Sequence, residues 1–438
     1  MSPAQSNPTQ PEPGFLLSGR FAILLFSLGV GFCSCGEENQ IESSNTYWQY
    51  GPPNVYLAGK IVDGDHPKAA WWENDKATTL TDGSNDAEAL AIVVSEKKVF
   101  VAGYESNGTY PVAKYWKNKE AVLLTDGRNP AVANAITLSG KDVYVAGYER
   151  ISNVSIAKYW KNGHVVSLTD GSRDAHAYGI VVNGNDVYVA GDEFNGITWV
   201  AKYWKNGTYT ALTDGTREAH AYSITLANDD VYVTGNEMNG VNGNMIAEYW
   251  KGDSVFCLTK GCNDAVANSI FVKGSDVYIA GTESLDSNHF VAKCWINGIA
   301  QTLTDNPVNS KASSIVVWDG DIYVAGKKME GTGTDGTPIV MYWKNRVETW
   351  VDAPATSGWT NSVFLTENRK KVREHSGISV GSVVGDIFSG IITTIIENPG
   401  GSSKSYPSKK DRSVSSGVSP SRYHESRSSG GGSHILKR

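Results

Sequence analysis

The sequence predicts an all-β fold, a seven-bladed β-propeller of four-stranded antiparallel blades, from three observations. The glycine that ends each VYVAG-type run recurs at Gly59, Gly103, Gly147, Gly191, Gly235, Gly281 and Gly326, with separations of 44, 44, 44, 44, 46 and 45 residues. An independent tryptophan series, Trp72, Trp116, Trp160, Trp204, Trp250, Trp295 and Trp343, gives the same count. Each copy also holds four short runs rich in β-branched and aromatic residues. A repeat of roughly 40 to 50 residues with four strands is a propeller blade, which must stack on neighbours to bury its two faces. An open β-solenoid is the alternative, but its repeats are usually shorter and its ends need caps.

In the fourth copy the runs are Ala177–Val182 (strand a), Val187–Glu193 (b), Val200–Lys205 (c) and Thr208–Leu212 (d), bounded by Asn, Gly and Asp. Strands c and d join through Asn206 and Gly207, as Asn162 and Gly163 do one repeat earlier. Asn-Gly is a strong two-residue hairpin signal because both positions accept positive φ. The chain starts its first repeat at strand b, Val55–Ala58, and after the last d strand carries an unpartnered a-like run, Ser362–Leu365. The final a strand is therefore expected beside the first b strand, closing the ring and removing two exposed edges.

The propeller is expected over residues 54–366, after an export segment (1–35) and a linker (36–53), and before a tail (367–438). Residues 1–20 are polar, with four prolines. Phe21 to Phe32 is a compact apolar run, too short for a comfortable span, and it resembles a secretory h-region. Cys35 at its end resembles a bacterial lipoprotein processing site, and Glu37 and Glu38 resemble the surface-export signal of Bacteroidota lipoproteins. That resemblance implies lipidation of Cys35 and a membrane partner; plain secretion or an uncleaved anchor is the alternative. Ile378 to Ile396 is apolar but carries Asp386, which favours a peripheral segment over a span. From residue 400 the composition is Ser, Gly, Lys and Arg, which predicts disorder.

The formal net charge of −7 argues against a nucleic-acid surface. Cys257, Cys262 and Cys294 lack zinc-type spacing. No HExxH, GxSxG, sialidase Asp-box or phosphate-cradling glycine loop is present. His176 and His220 occupy equivalent positions in neighbouring a strands and are expected to line the central channel; a catalytic or metal role requires them to converge on one point.

Glu105, Glu149, Glu193, Glu237 and Glu283 lie two residues after the marker glycine, while Lys114, Lys158, Lys202 and Lys293 lie two residues before the tryptophan. Cross-strand ion pairs explain both series. Where the glutamate is Ile61 the lysine is Ala70, and where it is Lys328 the partner is Met341. Glu237 instead faces Glu248. Two carboxylates so placed repel unless a cation or another base intervenes, which makes this the candidate site for calcium. The recurring aspartates Asp82, Asp126, Asp170, Asp214 and Asp305 precede glycine and read as turn residues.

The distance from each tryptophan to the next marker glycine is 31 residues in all six cases, whereas glycine to tryptophan runs 13, 13, 13, 13, 15, 14 and 17. All length variation therefore sits in the b–c loops, which emerge on the same face as the d–a loops. Variable loops on one face suggest an interaction surface. Its candidate ligand-binding residues are Asn239, Asn242 and Asn244, Asp286 and His289, and Glu330 and Asp335, with Trp199 as a stacking surface for a sugar and with His176 and His220 on the channel.

The VYVAGYE, AKYWKNG and LTDG motifs, as at Val143 to Glu149, Ala157 to Gly163 and Leu168 to Gly171, resemble those of extracellular bacterial propeller repeats, HAF-type repeats being the nearest. The resemblance covers residues 54–366 and implies the fold and an exported location. It carries no catalytic residue across. Two functions remain open: a monomeric, non-catalytic surface module that binds a glycan, a peptide or an envelope protein, and an extracellular hydrolase or lyase with polar residues converging on the propeller axis.

Overall fold

The computed structural model describes residues 45–374, apart from 287–288, 305–308, 331–336 and 352–356. The chain divides into two compact units, Met1–Ser376 and Gly377–Arg438, and every described residue belongs to the first. The export segment, Cys35, the apolar run 378–396, the tail from 400, Asp305 and Asp335 lie outside the described residues.

Seven four-stranded antiparallel sheets form the blades, numbered here by their marker glycines. In blade 4 the strands are Ala175–Asn183 (a), Asp186–Phe194 (b), Trp199–Lys205 (c) and Thr208–Ala211 (d). Blade 1 takes strands b, c and d from Asn54–Val62, Lys68–Glu73 and Lys76–Thr79, and strand a from Ser357–Thr366. Val55 pairs with Leu365 and Ala58 with Ser362, the closure expected from the sequence. Thr360 latches it: its buried hydroxyl accepts from Gly326 N–H at 2.9 Å and lies 2.8 and 2.9 Å from the carbonyls of Gly326 and Met341 in blade 7.

The core is divided among the interfaces between successive blades. Trp204 packs with Ile180 and Val189 of its own blade against Ala146 and Ala157 of blade 3. Trp72, Val363 and Leu365 pack in the same way against Tyr323 and Val340 of blade 7, so the last interface completes the ring. The marker glycines are obligatory because strand a bulges over them. A Cβ on Gly147 would stand 1.9 Å from the Val132 carbonyl, and one on Gly191 1.9 Å from that of His176. The Asn-Gly turns have the expected positive φ, 51° at Asn206 and 84° at Gly207. Asn206 Oδ1 also accepts from Val187 N–H, the second amide of strand b, at 2.9 Å, which ties this c–d turn to its own blade.

The ion pairs are present, and they run diagonally across the hairpin, not between directly facing residues. Each lysine stands opposite the marker glycine, Lys114 opposite Gly103 for example, and reaches diagonally to the glutamate. The lysine-to-carboxylate distances are 2.6 Å for Glu105, 2.5 Å for Glu149, 2.6 Å for Glu193 and 3.1 Å for Glu283. These pairs are largely buried, the lysines more so than the glutamates. Ile61, Ala70 and Met341 are fully buried where the pair is absent, and Lys328 turns to Glu348 at 2.7 Å. The aspartates accept backbone amides two residues on, Asp82 from Ser84 at 2.8 Å and Asp170 from Ser172 at 2.8 Å, as turn residues do.

Asn45–Tyr50 and Arg369–Glu374 form a further two-stranded antiparallel sheet. The sequence reading assigned both to linker and tail. Neither belongs to the repeat, so periodicity offers no signal for them, and their pairing joins segments at opposite ends of the propeller. The Arg369 guanidinium lies 4.8 Å over the Trp48 ring.

Candidate site at the channel mouth

Two residue positions shape the inner wall: the one after each marker glycine, on strand b, and its partner on strand a. In blade 4 the pair is Asp192 and His176, and in blade 5 it is Asn236 and His220. The marker-glycine bulge turns these side chains inward at the end of the strands where the b–c and d–a loops emerge. The two loops are tied together, since the Asn195 amide of one donates to the Gly215 carbonyl of the other at 2.8 Å.

His176 and His220 converge on Asp192. The carboxylate is fully buried; its Oδ1 lies 3.0 Å from His176 Nδ1 and its Oδ2 2.6 Å from His220 Nδ1. A carboxylate can only accept here, so both Nδ1 atoms donate. His220 Nε2 lies 3.1 Å from Glu218 Oε1, which places a carboxylate at each end of that ring. Burial opposes charge on His220, but the bonds and charges of Asp192 and Glu218 prevail and raise its pKa above the ordinary value. Both ring nitrogens of His220 thus face carboxylates, and neither is free for a ligand. His176 differs: its Nε2 has no hydrogen-bond partner among the described residues, and with Nδ1 donating to Asp192 it presents a lone pair when the ring is neutral.

Aromatic rings enclose the pair. Trp199, the first residue of strand c, lies 5.1 Å from His176 and 6.0 Å from His220 between ring centroids, at tilts of 30° and 38°. Tyr148 meets His176 edge-on at 4.7 Å. Tyr178 and Tyr222 occupy the bulged positions of strand a, 5.4 Å apart. Burial first, and the Asp192 charge next, hold both phenols protonated well above their usual pKa. The site therefore combines a half-buried indole face with one accessible imidazole nitrogen, fixed by a buried carboxylate.

Of the residues expected to bind, the structure brings together Trp199, His176 and His220. Three others are committed elsewhere. The Asn242 amide donates to Gly261 O at 2.8 Å, and the Asn244 amide to Cys262 O at 2.8 Å and Gly261 O at 3.4 Å. Asn239 Nδ2 lies 3.4 Å from Gly261 O. These asparagines fasten the long loop of blade 5 to the adjacent d–a loop. His289 Nδ1 is paired with Asp286 at 2.8 Å within its own loop. Glu330 ends strand b of blade 7, its backbone paired with Thr337.

At the calcium candidate, a base is already present: Arg217 Nη2 lies 2.8 Å from Glu237 Oε1. Glu248 is buried, its pKa raised to about 7 by burial and then by the Glu237 charge, with Cys257 Sγ 3.8 Å from Oε2. Among the described residues no group of three or more His, Cys, Asp or Glu side chains is arranged to hold a metal ion.

Asp192, Glu218, Tyr178 and Tyr222 escaped the sequence reading. The signal available was variation, because the position after the marker glycine reads Lys60, Tyr104, Tyr148, Asp192, Asn236, Thr282 and Lys327 while the glycine before it never changes.

No protein-family model and no curated protein matches the chain. The class that fold and site define is a seven-bladed β-propeller with a polar and aromatic channel mouth. Solved structures similar to it include a puromycin-hydrolysing peptidase of Mycobacterium tuberculosis, at 10% identity and a TM-score of 0.46, covering 67% of this chain and 53% of that one. This chain thus spans about half the length of that peptidase. A periplasmic gluconolactonase of Pseudomonas aeruginosa matches at 10% identity and 0.40, covering 72% and 99%. A protein assigned as TolB from Agrobacterium tumefaciens matches at 10% identity and 0.39, covering 58% and 90%. At these similarities none of the three speaks to the chemistry of this chain.

Proposed function

We propose that the protein is an exported, surface-anchored and monomeric propeller that captures an extracellular glycan at the mouth of its channel. The observation that carries this reading is the Trp199 indole held against His176 and His220, which are fixed in turn by buried Asp192. A rigid aromatic face beside a hydrogen-bonding edge suits a sugar ring, which offers C–H groups to one and hydroxyls to the other. His176 Nε2 accepts from a sugar hydroxyl, and ordering it costs little because its ring is already locked. Export rests on the apolar run Phe21 to Phe32 and on Cys35 as the lipidated residue, together with the likeness to HAF-type repeats. Mass spectrometry that finds no acyl chain on Cys35 in native membranes would remove the anchor.

A second reading, an extracellular hydrolase or lyase, is favoured by the Asp192–His176 pair. A carboxylate on Nδ1 fixes the tautomer and leaves the Nε2 lone pair turned away from it, the arrangement of a general base that takes a proton from water or from a carbon acid. A glycan and protein array probed with wild type and Trp199→Ala separates the readings. Capture by wild type that is lost in Trp199→Ala supports binding, whereas turnover of the captured ligand that stops in His176→Gln establishes the enzyme. Capture unchanged by Trp199→Ala would move the site elsewhere.

A further inference from the structure

Blade 1 faces blades 4 and 5 across a ring of seven, and the wall opposite the histidines carries a second cluster, built from the same two positions. Lys327 follows the marker glycine of blade 7 and stands directly opposite Lys311 on strand a. Lys60 occupies the same place in blade 1, opposite Trp359. The ammonium groups of Lys60 and Lys327 lie 4.0 and 4.7 Å from the centroid of the Trp359 ring.

Among the described residues one carboxylate bonds to this wall, and it is already shared out. Glu88 of blade 2 accepts from Lys60 at 2.9 Å, the Trp359 indole at 3.0 Å, the Asn361 amide at 2.9 Å and the Tyr104 hydroxyl at 3.3 Å. Its charge balances Lys60. Lys311 and Lys327 have no carboxylate partner among the described residues, although like charges directly opposite on antiparallel strands repel. Burial, and then the charge on Lys311, lowers the pKa of Lys327. The contrast within the fold is sharp, because Lys114, Lys158, Lys202 and Lys293 inside the blades each have a glutamate, and Lys328, one residue from Lys327, has Glu348. Two lysines that face each other across the strands, Lys327 with its ammonium over the Trp359 indole and Lys311 with its own 4.9 Å over the Phe290 ring, neither with a carboxylate partner among the described residues, are a donor set for an oxyanion carried on a ring.

We propose that Lys311 and Lys327, with Trp359, form a subsite for the anionic group, carboxylate or sulfate, of an acidic sugar residue. This rests on the reading of the protein as a glycan binder and assigns the glycan to the acidic class. The two ammonium groups neutralise the oxyanion, and Lys60 stays with Glu88.

Isothermal titration calorimetry of the full chain at low ionic strength tests it with sodium D-glucuronate, sodium sulfate and D-glucose. Wild type is expected to bind one or both anions and not glucose, and Lys311→Gln/Lys327→Gln is expected to weaken that binding about tenfold or more. The double variant is expected to melt no lower than wild type, since it removes a repulsion, so a folding defect does not mask the result. Binding of glucuronate alone identifies a carboxylate ligand, and of sulfate alone a sulfated one. No uptake of either anion, or uptake unchanged in the double variant, overturns the proposal. Polygalacturonate separates it from the parent reading. Polymer capture lost in Trp199→Ala but kept in the lysine variant defeats the subsite alone. Anion binding lost in the lysine variant, with no polysaccharide captured by wild type, keeps the anion site and defeats the glycan reading.

Discussion

His220 and Asp192 belong to neighbouring blades, yet His220 Nδ1 stands 2.6 Å from Asp192 Oδ2, and the same carboxylate holds His176 of its own blade through Oδ1. One buried side chain therefore sets the geometry of the candidate site and also links two blades at the channel.

Asp192→Asn keeps the shape but removes the charge that stabilises the His220 imidazolium. Breaking a buried pair in this way is expected to cost about 3 kcal/mol in urea denaturation at pH 6. The sign of the pH dependence follows from the raised pKa. A histidine whose folded value exceeds its unfolded value contributes fully below the unfolded value, near 6.5, and loses that contribution as pH climbs through the folded one. The deficit of the variant should therefore shrink above the folded pKa, and a deficit independent of pH would show that His220 is neutral in the native protein.

Glu248 stands opposite Gly235, the place where Lys114 stands opposite Gly103. Its folded pKa near 7, against an ordinary 4.5, means that the folded state binds the proton more tightly. Stability is then lost as pH rises from about 4.5 through about 7. Glu248→Lys restores the pattern of the other blades, and it is expected to raise stability at pH 7.5 by about 2 kcal/mol and to flatten that slope. Chemical denaturation across the range checks both. Calcium titrated into both proteins checks the ion reading, because binding to wild type that disappears in the variant would place a cation between Glu237 and Glu248.

Thr360→Val tests the closure. The substitution preserves volume but removes the hydroxyl that bonds Gly326 and Met341 across the last interface. It is expected to cost about 1–3 kcal/mol by thermal or chemical unfolding. Removing strand a of blade 1, residues 357–366, should open the ring altogether; a truncated protein melting at the wild-type temperature would show that the ring does not need this strand.

The architecture was legible because its requirements recur. Gly147 cannot carry a Cβ, Trp160 fills an interface core, and Asn162 both turns the c–d hairpin and caps strand b, so each residue type returns in blade after blade. The site was only partly legible for the opposite reason. His176 and His220 stood out as a repeated pair, but Asp192 occurs once, at a position that changes in every blade except for the two tyrosines and the two lysines. Its contact with His220 spans 28 residues and a blade boundary. Recurrence marks the scaffold, and departures from it mark the inner wall. Loop length pointed to the longest described b–c loop, Asn239 to Asn244, whose asparagine amides bond the adjacent d–a loop at Gly261 and Cys262. The strands Asn45–Tyr50 and Arg369–Glu374 lie outside the repeat and left no periodic trace.

The proposed binding site predicts that ligand meets the protein on Trp199 and His176 at the channel mouth. Its most direct test compares the Kd of an array-identified glycan for wild type, for Trp199→Ala, and for a variant in which residues 240–243 of the blade 5 loop are shortened. Loss of a stacking indole should weaken binding by about tenfold or more at an unchanged melting temperature, and shortening the loop should leave the Kd as it was. Undiminished binding by Trp199→Ala, with binding lost on shortening the loop, would place the site on the rim and not at the channel mouth.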